Sequence, residues 1–190
     1  MRCGWETTLA YIVETFLNRM LEFVSHIESS GESPVRYQPR LHVVLYQPEI
    51  PPNTGAIGRT CVAIGAKLWL VKPLGFQLST KTLRRAGLDY WKYLHWETVT
   101  HWEELQEKLP SSRFWLFTKH GQTSYAQVAY QEGDVLVFGS ESRGLPPKIL
   151  EAHGPACLKI PMREDVRSIN LSCSVAVASY EALRQFDAPA

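Results

Sequence analysis

The sequence predicts an α/β fold, a mainly parallel sheet flanked by helices. Three observations carry that prediction. From residue 41 onward, six short runs of apolar and β-favouring residues alternate with helical patterns, the signature of strand–helix units in a covered sheet. The leading run, Leu41 to Tyr46, is nearly continuous in hydrophobicity, as expected of a strand buried on both faces. Three of the runs lead into Gly/Pro-rich or polar turns, the place where ligands collect in open α/β sheets.

Residues 1–40 stand apart. Leu9, Ile12, Val13, Phe16, Leu17, Met20, Leu21, Val24 and Ile27 recur at helical spacing, so an amphipathic helix is expected there. Glu14, Asn18, Arg19 and Glu22 interrupt it, which is unlike a signal peptide. Ser29 to Pro34 reads as a linker. The expected organisation is an N-terminal extension, 1–40, followed by a single domain, 41–190.

Within that domain strands are expected at 41–46, 67–71, 93–99, 114–118, 135–139 and 157–160. Helices are expected at 54–64, 80–87, 101–109, 146–152 and 171–186. The last is apolar over much of its surface, through Val175, Ala176, Val177, Ala178, Tyr180, Ala182 and Leu183, and is read as a dimer element.

Composition narrows the function class. The chain has 190 residues, 45% hydrophobic and 21% charged, ordinary values for a soluble globular protein. The net charge of +1 leaves nucleic-acid binding to local clusters. Cys3, Cys61, Cys157 and Cys173 show no metal-ligand or redox spacing, and the six histidines are scattered, so no metal is expected. The expected compartment is a reducing cytoplasm. No run is long enough to span a membrane. Dinucleotide and P-loop fingerprints are missing, and Ser140 is not in a nucleophile elbow.

The three turns hold the chemistry. Pro48-Glu-Ile-Pro-Pro-Asn-Thr-Gly-Ala-Ile-Gly-Arg59 follows the first strand, and Phe138-Gly-Ser-Glu-Ser-Arg-Gly-Leu-Pro146 follows the fifth. The third gathers Arg167, Ser168, Asn170 and Ser172 just before the final helix, more polar side chains than a structural turn needs. Taken singly, each has a plainer reading. Asn170 suits a helix N-cap, Arg143 a local ion pair, and Tyr180 a core aromatic.

Together with Pro73-Leu-Gly-Phe76, Leu83-Arg-Arg-Ala-Gly-Leu-Asp-Tyr90 and the stretch from Ile160 to Gln185, these motifs resemble the SPOUT class of S-adenosylmethionine-dependent RNA 2′-O-methyltransferases. Within it they are most similar to the TrmL-type tRNA (cytidine/uridine-34-2′-O)-methyltransferases. The resemblance spans 41–186 and implies a C-terminal trefoil knot, a homodimer, and a tRNA anticodon loop as substrate. It implies cofactor contacts at Phe117, Gly139, Ile160 and Ser168. It implies catalytic or supporting roles for Asn53, Arg59, Glu141, Ser168, Asn170 and Tyr180. Ala56, Gly58, Ser140 and Cys173 depart from the residues usual in the family. Lys81, Arg84 and Arg85, near Tyr90 and Trp91, are read as RNA contacts, since cations beside aromatics suit phosphates and unpaired bases. Two rivals keep the fold: 2′-O-methylation of rRNA or of another tRNA position, and a non-catalytic RNA-binding module.

Overall fold

The computed structural model describes residues 37–77 and 90–187. Among these residues seven parallel strands form one sheet: β1 (His42–Tyr46), β2 (Lys67–Val71), β3 (Trp96–Val99), β4 (Phe114–Phe117), β5 (Thr123–Ser124), β6 (Val135–Phe138) and β7 (Cys157–Lys159). Their order across the sheet is β3-β2-β1-β6-β4-β7-β5. The chain first builds outward from β1 to β3, then crosses to the other side. Strand β6 returns to lie between β1 and β4, pairing His42 with Val135 on one side and Phe114 with Val135 on the other. The reversal at β1 and β6 opens a crevice at the carboxyl ends of the strands.

Helices cover both faces. Among the described residues these are α1 (Pro51–Ile64), α2 (Trp102–Lys108), α3 (Pro147–Ala152) and α4 (Leu171–Phe186). Period-2 alternation sends Val43 and Leu45 to one face, where they meet Ile57 and Cys61 of α1 and Val175, Ala178 and Ala182 of α4. Val44 points the other way, into a cluster with Trp102 and Leu105 of α2 and Ile149 of α3. Val43, Val44 and Leu45 are all 0% exposed. Burial of each such side chain contributes about 1.5–3 kcal/mol.

Local chemistry explains the helix starts. Tandem prolines open α1 at Pro51, three residues earlier than expected, because the first-turn N–H groups have no partner to lose. His101 caps α2 by accepting from the Glu104 N–H at 3.2 Å, and Asn170 caps α4 by accepting from the Ser172 N–H at 2.8 Å.

Two differences from expectation have physical causes. The strand expected from residue 93 begins at Trp96, because Trp91–Tyr93 forms a 3₁₀ turn with Tyr93 outside, 63% exposed. Aromatic residues fit either state. Strand β5, pairing with β7, is two polar residues long and offers no pattern to read. The expected helices at residues 1–40 and 80–87, with Lys81, Arg84 and Arg85, lie outside the described residues. Among the described residues no helix is long and apolar enough to cross a membrane, and no group of three or more His, Cys, Asp or Glu is placed to hold a metal ion.

Candidate active site

A cleft of about 790 Å³ opens at the carboxyl ends of β1, β6, β4 and β7. Its walls come from the start of α1, the end of β4, the turn after β6, and the long loop between β7 and α4. The volume falls in the range of small-molecule sites, roughly 300–1,000 Å³.

The turn after β6 is folded back on itself. Gly144 has φ +70° and donates its N–H to the Ser140 carbonyl at 2.9 Å. A Cβ on Gly139 would lie 2.0 Å from the Gly144 carbonyl carbon, so no other residue fits. This tight turn leaves backbone groups facing the cleft. Beneath it the Phe117 and Phe138 rings stack at 4.5 Å, paired across β4 and β6. Leu145 and Ile160 add apolar surface.

A hydrogen-bonded relay ties the walls together. Glu141 accepts from the Glu49 N–H at 2.8 Å, the Ile50 N–H at 3.3 Å and the Asn53 amide at 2.9 Å. Asn53 in turn accepts from the Asn170 amide at 3.0 Å, and Asn170 caps α4. The Glu49 carboxylate accepts from the Ser142 N–H at 2.9 Å and its hydroxyl at 2.6 Å. These bonds from Ser142 hold the Glu49 carboxyl below its ordinary range. The turns after β1 and β6 are therefore clasped in both directions, and α4 is fastened to the clasp.

The structure brings Asn53, Phe117, Gly139, Glu141, Ile160, Ser168 and Asn170 together around this one cleft. It does not bring Arg59 or Tyr180 there. Arg59 lies further along α1, exposed, with its guanidinium over the Tyr90 ring at 4.1 Å. Tyr180 is on the outer face of α4, 53% exposed beside Val177 at 40%, so it is not a core aromatic. Arg143 makes no ion pair with Glu141, whose oxygens are taken up by the start of α1. Asn170 is an N-cap and a cleft residue at once.

Sequence reasoning missed Glu49 and Ser142 as partners, although both stand inside the quoted motifs. It also missed Lys119 and His120, which line the cleft from the turn after β4. Lys119, with Arg143 and Arg167, makes its rim basic. The Cys61 thiol, fully buried on the inner face of α1, has its pKa pushed up to about 12 by desolvation, which keeps it protonated.

The profile of the SpoU rRNA Methylase family matches residues 40–180, a span that includes every wall of the cleft. The chain belongs to the SpoU rRNA methylase family. It is 49% identical over 146 residues to a tRNA (cytidine(34)-2′-O)-methyltransferase of Methylovorus glucosotrophus, covering 76% of this chain and 95% of that one. It is 44% identical over 150 residues to the tRNA (cytidine(34)-2′-O)-methyltransferase of Escherichia coli K12, covering 78% and 96%. A solved structure reported as insight into the 2-OH methylation of C/U34 on tRNA superposes with TM-score 0.73 at 49% identity, covering 77% and 95%. In this SpoU chain, the relay from Glu141 to Asn170 lies wholly inside the shared segment.

Proposed function

We propose that this chain methylates the ribose 2′-hydroxyl of the wobble nucleotide, position 34, of tRNA, using S-adenosylmethionine. The observation that carries the reading is the convergence of three distant turns on one cleft in a chain 44–49% identical to wobble methyltransferases.

The residues present fit the cofactor. Its adenine is flat, with an apolar face and a hydrogen-bonding edge. The cleft offers Leu145 and Ile160 as apolar walls, the Phe117–Phe138 stack as a floor, and backbone groups of the Gly139 turn for the edge. Ser168 and the basic rim, which line the same cleft, would take the polar tail. When bound, S-adenosylmethionine supplies an electrophilic methyl group on a sulfonium. Holding it is the work of the 139–145 turn and the 160–170 loop, which the Glu141–Asn53–Asn170 relay keeps in register.

The attacking alcohol needs its proton removed or its developing charge stabilised. Arg59 is the group for this in our reading, acting as a charged guanidinium that grips the adjoining phosphate and stabilises the forming alkoxide while the hydroxyl proton passes to water. Arg59 lies six residues beyond Asn53, about 9 Å along the helix, and outside the cleft of its own chain. A second copy therefore supplies it, giving a homodimer with the apolar outer face of α4 at the contact. Val177 and Tyr180 lie on that face. The knotted chain path and the cytoplasmic setting belong to the same reading.

The test is nucleoside mass spectrometry of tRNA incubated with the purified chain and S-adenosylmethionine. A 2′-O-methyl group at position 34 is expected. Methylation confined to rRNA or to another tRNA position, or none at all, would overturn the proposal.

A further inference from the structure

A second cavity, about 650 Å³, opens at the carboxyl ends of β2 and β3, away from the cofactor cleft. Trp96 and Phe76 supply aromatic surface, Leu74 an apolar wall, and Thr98 and Thr100 hydroxyl groups. Lys72 is exposed there and is the only charged residue of the lining among the described residues.

The cavity shares a side of the molecule with Arg59. Trp96 packs against Trp91 at 5.4 Å between ring centroids. Trp91 in turn lies against Gly58, where an added Cβ would come within 3.0 Å of the indole ring. Gly58 precedes Arg59, whose guanidinium lies on Tyr90, the neighbour of Trp91. One aromatic segment, Tyr90 to Trp96, thus supports both the guanidinium and the cavity.

We infer that this cavity seats an unpaired nucleobase of the RNA substrate, one flanking the methylated nucleotide, with Lys72 on its phosphate. The inference rests on the RNA methyltransferase reading above. Aromatic surfaces take the π-face of any base, the two threonine hydroxyls meet its polar edge, and a lining that among the described residues holds one cation and no carboxylate matches a phosphodiester. An apolar peptide would use the rings but leave the lysine and hydroxyls without partners. Seating the neighbour here would hold the wobble ribose against Arg59, which gives the surface a role in choosing the nucleotide.

The experiment uses the full chain and anticodon stem–loop RNAs carrying 2-aminopurine at one loop position at a time. One position next to the target should lose fluorescence on binding, through stacking on Trp96 and Phe76. Phe76→Ala and Lys72→Ala should each abolish that loss and raise KM for RNA by about tenfold, with cofactor Kd unchanged. Thr98→Val, which keeps the volume, serves if Phe76→Ala fails to fold, and it should weaken binding while leaving the melting temperature in place. Variants that quench and methylate like an active wild type would overturn the pocket and leave the wobble reading standing. A dimer weakened by Lys72→Ala at unaltered RNA affinity would hand the cavity to a second copy and overturn it too. A wild type that methylates nothing would sink the wobble reading, and the flanking-base inference with it.

Discussion

Replacing Glu141 with alanine should loosen the active-site walls and the fold together. The carboxylate accepts three donors, from Glu49 and Asn53 at 2.8 and 2.9 Å and from Ile50 at 3.3 Å. Bonds to a charged acceptor are each worth about 1.5–3 kcal/mol. The Ile50 bond is long and exposed, so water replaces it at little cost. The other two are partly buried, and water restores some of each. The expected loss is about 2–4 kcal/mol. For a chain of this size that lowers the melting temperature by roughly 5–15 °C. The loss should also reach the cofactor, because Asn53 would no longer hold Asn170 and the start of α4. Thermal unfolding by circular dichroism and cofactor titration by calorimetry read the two effects. A variant that melts within about 1 °C of the wild type would refute the claim that this carboxylate holds the turns together.

Three further outcomes follow from the same structure. Gly139→Ala places a methyl group 2.0 Å from the Gly144 carbonyl carbon, so it should abolish cofactor binding in calorimetry, whereas Gly154→Ala, where nothing lies within 4 Å, should leave it unchanged. Arg59→Lys keeps the charge but loses the planar fork, and single-turnover assays should show methyl transfer slowed at least tenfold with cofactor affinity preserved; near-full turnover would rule out a specific guanidinium role. His42, buried at the start of β1 and accepting from the Trp69 indole N–H at 3.0 Å, has its pKa lowered to about 4 by desolvation. The folded state therefore prefers neutral His42. Its contribution, on the order of 3 kcal/mol, is complete above about pH 6.5 and lost as pH falls toward 4. Urea unfolding midpoints of wild type and His42→Gln should converge over that window, and parallel curves would show that His42 is not the group responsible.

Much of the sheet was legible because its inner strands are short, uninterrupted apolar runs. Val135 to Phe138 is buried at every position, and such a segment has no other stable use. Thr123–Ser124 was not, since its strand character comes only from pairing beside β7. Strand order was also beyond reach, because nothing local in Val135–Phe138 tells it to insert between β1 and β4. In the site, composition marked the three turns as polar and crowded. It did not show that Glu141 meets Asn53, nor that Asn53 meets Asn170, contacts that span 88 and 117 residues of chain. Those come from tertiary structure. Arg59 shows the opposite limit: its motif is unmistakable, yet its place relative to the cleft depends on how α1 runs back along the sheet.

The inner position of β6 bears on how the protein is made. When β1, β2 and β3 have left the ribosome, the free edge of β1 still awaits residues 135–138. Until they arrive, an uninterrupted apolar strand displays unpaired amide and carbonyl groups, an invitation to any other nascent chain nearby. The middle of the sheet closes only after most of the polypeptide has been synthesised. Chaperone protection during translation therefore matters more for this topology than for one whose strands add in sequence order.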